Sequence, residues 1–221
     1  VVALDYDDPE KAYRLVDELG DRIQTYKLGP VLFTRSGTEI LTFLRRKGKK
    51  VFLDLKLYDT PRVVSDTIRQ LGDLGAQWAS VHCLGGRTML EAAAAGCRGS
   101  QLKIIGVTLL TSQGAPDSYN WGWPQSELGM VLRLTEVALE ARLGGIMCSP
   151  NELEAVRPKT VPGFVLAAPG IRLAKEEVFM EDQKRVATPR QALEWGADMI
   201  IIGRPITLAR EPRAVVDRLF A

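Results

Sequence analysis

Lys50-Val51-Phe52-Leu53-Asp54-Leu55 opens on a lysine and then runs apolar to an aspartate, and Lys56-Leu57 follow it. So continuous an apolar run reads as a strand covered on both faces, which is the habit of parallel sheets. Successive strand residues point to opposite sides, so Leu53 and Leu55 share one face while Asp54 and Lys56 share the other. Runs of the same kind recur outward from it: Val1–Asp5 and Ile23–Leu28 before it, then Trp78–His82, Leu102–Thr108, Gly145–Cys148, Phe164–Ala167 and Met199–Gly203. Helical patterns fill the gaps. Asp8 or its neighbour caps a helix through Leu19 that stops at Gly20. Ile40, Leu41 and Leu44 lie at helical spacing before Gly48, and Pro61 opens a helix with Val64, Ile68 and Leu71 on one face. Further helices are expected over Met89–Ala95, Leu128–Leu143, Gln191–Trp195 and Val215–Leu219. Strand and helix alternate at roughly 25–30 residues per unit, which predicts an α/β fold, a (β/α)8 TIM barrel. One domain spanning residues 1–221 is expected. The rival, an open doubly wound sheet, favours a G-x-G-x-x-G turn after its first strand, and Asp5-Tyr6-Asp7-Asp8 holds no glycine.

Composition narrows the function. The chain has 221 residues, 46% hydrophobic and 25% charged, as a globular protein does. Its 29 Lys and Arg against 27 Asp and Glu leave a net charge of +2, too little for nucleic-acid binding by bulk charge. A local cluster that grips one phosphate stays open. His82 is the only histidine, so a three-histidine zinc site is impossible. Cys83, Cys97 and Cys148 form no C-x-x-C pair and follow no signal peptide, so a reducing, cytoplasmic setting is expected. No apolar run approaches the ~18 residues of a membrane span, so no membrane partner is expected.

Barrel chemistry sits at the C-terminal ends of the strands. The polar residues there are Asp5, Lys27, Asp54, Lys56 with Asp59 just beyond, His82, then Thr108, Thr111 and Ser112, Pro169-Gly170-Ile171-Arg172, and Gly203-Arg204. Charges aimed into a barrel are costly unless paired. Lys27 on the adjacent strand and Asp59 from the loop would complete an alternating array with Asp54 and Lys56. At an effective dielectric near 20, each close pair gains ~4 kcal/mol before desolvation. Flanking carboxylates favour the ammonium, so Lys56 suits a proton donor better than a Schiff-base nucleophile. The plain alternative is a structural salt bridge closing the barrel.

Gly203 and Arg204 after strand eight, with a helix starting behind them, fit a phosphate, and Gly170 and Arg172 match them after strand seven. Leu173–Gln183 is charged and follows strand seven, so it reads as a lid over that phosphate, with Gln183 reaching across, or else as a plain surface loop. His82 reads as a hydrogen-bonded packing residue, the cysteines as small hydrophobes, and Trp121 and Trp123 as loop packing or a subunit contact. Arg45-Arg46-Lys47 with Lys49-Lys50 reads as a solvated helix end.

Asp54-Leu55-Lys56-Leu57-Tyr58-Asp59-Thr60-Pro61 resembles the D-x-K-x-x-D-[IT]-P signature of the orotidine 5′-phosphate decarboxylase family. Ala3-Leu4-Asp5, Tyr26-Lys27-Leu28-Gly29, Val81-His82-Cys83-Leu84-Gly85-Gly86, Gly106-Val107-Thr108, Asp182-Gln183-Lys184-Arg185 and Ile202-Gly203-Arg204-Pro205 extend the likeness over nearly the whole chain. The resemblance implies a (β/α)8 homodimer that removes CO2 from orotidine 5′-phosphate to give UMP, the last step of de novo UMP synthesis, with no metal and no organic cofactor. It implies that Asp5 and Lys27 hold ribose hydroxyls and that Lys27, Asp54, Lys56 and Asp59 form the charge network, with Lys56 protonating the C6 carbanion. Thr111 would read the pyrimidine, Pro169 would line the substrate site, and Arg172, Gln183, Gly203 and Arg204 would hold the phosphate. Asp59 and Thr60 would reach the neighbouring subunit's site. Two departures stand out: Val63 lacks the hydroxyl that some relatives direct to the neighbour's ribose, and Gln113–Gln125 differs from a common form of its loop. Relatives with the same D-x-K-x-x-D core include magnesium-dependent sugar-phosphate decarboxylases and hexulose-phosphate synthases. They commonly carry a small residue where Thr60-Pro61 stands.

Overall fold

A computed structural model describes residues 1–113, 122, 126–173 and 186–219. Eight parallel strands form one sheet in sequential order: β1 Val2–Ala3, β2 Thr25–Leu28, β3 Lys50–Leu57, β4 Trp78–His82, β5 Lys103–Val107, β6 Gly145–Met147, β7 Val165–Ala168 and β8 Met199–Ile200. A parallel bridge from Val2 to Ile202 joins the last strand's end to the first, and the Ala3 N–H donates to the Ile202 carbonyl at 2.8 Å. The sheet therefore closes, and the expected barrel is the one observed.

Period two decides what lies inside. Ala3, Phe52, Ile105, Val107, Met147, Ala167 and Ile201 pack together within the barrel. Their strand neighbours Val2, Val51, Leu53, Ile104, Ile146, Leu166 and Ala168 belong to the larger core under the helices. Burying apolar area on both faces, at roughly 25 cal/mol per Å², is what makes strands this short hold together.

The helices follow local signals. Asp8 accepts the Glu10 N–H at the start of Pro9–Leu19, which ends on Gly20. Glu39–Arg46 buries Ile40, Leu41 and Leu44, and Pro61–Asp73 buries Val64, Ile68 and Leu71. Gly86–Gly96 begins three residues before the expected Met89, and Pro189–Glu194 begins on its proline behind a Thr188–Gln191 capping box. Two further helices, Pro30–Ser36 and the single turn Leu153–Val156, are additions to the sequence reading. Directly behind Gly203 lies only the one-turn helix Arg204–Thr207, and the expected C-terminal helix, Pro212–Leu219, comes after it. A full helix dipole aimed at a phosphate is thus not available there, because a macrodipole needs several aligned turns.

β3 departs from regular pairing. Leu53 pairs with Ala79 but Leu57 pairs with Val81, so the register slips between them. Lys56 lies inside that slip with φ 49°, a left-handed backbone uncommon for a residue with a side chain.

Candidate active site

Asp5 follows β1, Lys27 sits on β2, and Asp54 and Lys56 sit on β3. Lys27 Nζ lies 3.1 Å from Asp5 Oδ1 and 3.3 Å from Asp54 Oδ2. Lys56 Nζ lies 2.7 Å from the same Asp54 oxygen. The charges thus alternate Asp5–Lys27–Asp54–Lys56 along three adjacent strand ends. Asp54 is 2% exposed and Lys27 7%. Burial alone would raise the Asp54 pKa, but the charges of Lys27 and Lys56 and hydrogen bonds from Lys56 and Ser80 outweigh it and hold the carboxyl below its ordinary value. Burial would likewise lower Lys27, but Asp54 and Asp5 outweigh it and raise its pKa.

Asp59 does not join Lys56 within one chain; its carboxylate accepts the Thr60 N–H at 2.6 Å, and both residues are exposed. Asp5 stands at the Lys27 end of the array, because β1 pairs with β2 and brings its end beside Lys27.

These four residues line a cavity of about 550 Å³ at the C-terminal ends of the strands. Thr111 lines it after β5, Pro169, Gly170 and Arg172 after β7, and Gly203 and Arg204 after β8. Arg172 is 5% exposed, whereas Arg204 is an exposed side chain at the rim. Gly170 has φ +78°, the left-handed turn that glycine supplies at least cost. The Ala187 N–H donates to the Gly170 carbonyl at 3.2 Å and the Arg172 N–H to the Ala187 carbonyl at 2.9 Å. That bridge ties together the two ends of the segment read as a lid. Residues 174–183 of that segment, Gln183 among them, lie outside the described residues, as do Trp121 and Trp123.

The sequence reading missed several contributors. Tyr6 lines the cavity, and its hydroxyl donates to the Thr207 carbonyl at 2.8 Å, tying the loop after β1 to the turn that carries Arg204. Cys148 forms part of the cavity wall. Ser80 touches Asp54 from below, its hydroxyl donating to Oδ1 at 2.8 Å. The signal for Ser80 was present, since Trp78, Ser80 and His82 share a strand face, but a lone serine carries no chemistry by itself.

His82 behaves as a packing residue. Its Nδ1 accepts the Leu84 N–H at 3.4 Å, its ring lies 6.1 Å from that of Tyr58, and burial with the nearby Lys56 charge lowers its pKa. Cys83 is buried, and burial pushes its thiol up to about 12, so it is inert. Among the described residues, no group of three or more His, Cys, Asp or Glu is placed to hold a metal ion. Both Asp54 oxygens are engaged, Oδ2 by Lys27 and Lys56 and Oδ1 by Ser80.

A sequence model of the Orotidine 5'-phosphate decarboxylase / HUMPS family matches residues 1–219. The chain belongs to this family. Similar curated relatives include the orotidine 5'-phosphate decarboxylase of Methylorubrum extorquens, 43% identical over 221 residues and covering 100% of this chain and 93% of the relative. That of Nitrosospira multiformis is 39% identical over 219 residues, with 99% and 91% covered. A crystal structure of orotidine 5'-phosphate decarboxylase from Lactobacillus acidophilus superposes with a TM-score of 0.85 at 33% identity, covering 99% of this chain and 96% of that one. Family membership accounts for the D-x-K-x-x-D run at Asp54–Asp59 and for the barrel that carries it.

Proposed function

We propose that this chain decarboxylates orotidine 5′-phosphate to UMP and CO2 with Lys56 as the proton donor, needing neither metal nor organic cofactor. The observation that carries this is the alternating array Asp5–Lys27–Asp54–Lys56 opening onto the same cavity as Arg172 and Arg204. The C6–carboxylate bond breaks and CO2 leaves. Its electron pair stays on C6 in an orbital in the ring plane, where the π system cannot delocalise it. A cation held nearby stabilises that charge, and Lys56 then gives a proton to C6 and regains one from water. An ammonium already fixed 2.7 Å from Asp54 needs no reorganisation at the moment of reaction, which favours the transition state over the ground state.

On this reading Asp5 and Lys27 hold the ribose, Thr111 reads the pyrimidine, Pro169 walls the site, and Arg172, Gln183, Gly203 and Arg204 hold the phosphate. Residues 1–221 act as one catalytic domain. The working unit is a homodimer in which Asp59 and Thr60 enter the neighbour's site. Tyr58 at 66% exposure and Val63 at 37% flank that pair, an apolar surface suited to a partner. Among the described residues no helix is long and apolar enough to cross a membrane. The three cysteines are free, which fits the cytoplasm as the setting.

The test is loss of the orotate chromophore with EDTA present. Decarboxylation undiminished by the chelator is the expected result. Strict dependence on added Mg2+ with a sugar phosphate, and none on orotidine 5′-phosphate, would replace this reading with the magnesium-using branch.

A further inference from the structure

Ser80 on β4 is fully buried and contributes nothing to the cavity lining, yet its hydroxyl meets two members of the charge array. Its oxygen accepts the backbone N–H of Lys56 at 2.8 Å, and its proton goes to Oδ1 of Asp54 at 2.8 Å. The direction is forced: an amide N–H only donates, so the single hydroxyl proton is left for the carboxylate. The register slip explains why Lys56 depends on this partner. From Leu53 to Leu57 β3 advances four residues while β4 advances two, from Ala79 to Val81. The chain between bulges out of the ladder, and Lys56 enters the left-handed region at φ 49°. Its N–H finds a β4 side chain where a regular ladder offers a carbonyl.

We propose that Ser80 is a positioning residue for the decarboxylation: one hydroxyl clamps the bulged backbone of Lys56 to the carboxylate of Asp54 and so sets the direction from which Lys56 Nζ meets C6. Asp54 Oδ2 pairs with both lysines while Oδ1 is held by Ser80, so the carboxylate cannot rotate without breaking the clamp. The inference rests on the decarboxylase reading above and deepens it.

The experiment compares kcat, KM and UMP binding for the wild type, Ser80→Ala and Ser80→Thr on orotidine 5′-phosphate. A wild type that does not turn over this substrate refutes the decarboxylase reading itself, whereas the Ser80 inference is judged on variants of an active enzyme. Calorimetric titration with UMP counts competent sites, so poor folding shows as lost sites rather than slower turnover per site. Ser80→Ala is expected to lower kcat per site about 10- to 100-fold, the size of a lost charged hydrogen bond. KM and UMP affinity should move by less than about threefold. Ser80→Thr keeps the hydroxyl and recovers most of the turnover. Undiminished kcat per site in Ser80→Ala, or a loss confined to the number of sites, overturns the proposal. If Ser80→Ala does not fold, Ser80→Cys carries the same test, because a thiol keeps the shape but bonds weakly. Full turnover per site in that variant overturns the proposal equally.

Discussion

Replacing Asp54 by asparagine isolates the charge at the centre of the array. The change is nearly isosteric, so shape contributes little. Asp54 Oδ2 lies 2.7 Å from Lys56 Nζ and 3.3 Å from Lys27 Nζ. At an effective dielectric near 20 those contacts are worth about 6 and 5 kcal/mol before desolvation. Removing one partner of a buried ion pair costs about 3–5 kcal/mol net. Two features pull the value to the low end: Lys27 keeps Asp5 at 3.1 Å, and the Lys56 side chain is 31% exposed and can turn to water. We expect Asp54→Asn to cost about 3 kcal/mol, which for a chain of this size is roughly 6–12 °C in Tm. Thermal melts followed by circular dichroism read it. The pH dependence supplies a check that shape cannot imitate. The Asp54 pKa is depressed in the folded state, so its stabilisation is present above the unfolded carboxyl value and is lost as pH falls through the folded one. The Tm gap should therefore hold steady from neutral pH down to about pH 4 and close below it. A variant as stable as the wild type at neutral pH, or a gap that persists unchanged into strong acid, would refute the assignment of Asp54 as the ionised hub.

Lys27 has the opposite linkage: its pKa is raised on folding, so its contribution is whole below the unfolded lysine value and lost as pH rises through the folded one, and Lys27→Gln should flatten the alkaline fall in Tm. Arg204→Ala should raise KM and weaken UMP binding together by about 10- to 100-fold while leaving uridine affinity unchanged, as measured by calorimetry. Mixing Lys56→Ala with Asp59→Ala subunits in equal amounts should restore about a quarter of wild-type activity, since half the random dimers carry one intact site. No recovery despite proven subunit exchange would argue against a shared site.

Much of this was readable from residue order. Asp54 and Lys56, two apart in an apolar run, both open onto the cavity as expected, and the apolar runs became the eight strands of one closed sheet. Periodicity carries no register, however, so neither the slip between Leu53 and Leu57 nor the left-handed Lys56 could be foreseen. Asp5 is the carboxylate that strand pairing delivers to Lys27, a contact that no spacing along the chain announces. Sheet topology decides that contact. The tie between Tyr6 and Thr207 escaped notice because its acceptor is a backbone carbonyl, which every residue has. Pro30 directly after Gly29 marked a helix start that was legible and overlooked; that helix buries few large side chains and so shows little apolar stripe.

The role of Lys56 is the claim that everything else serves, and turnover by Lys56→Ala tests it most directly when UMP affinity is measured on the same preparation. We expect decarboxylation to fall by about a thousandfold or more while UMP binds within about tenfold of the wild type, because the variant loses the proton and the charge at C6 but keeps the phosphate and ribose contacts. Turnover close to that of the wild type, with UMP still bound, would contradict the account.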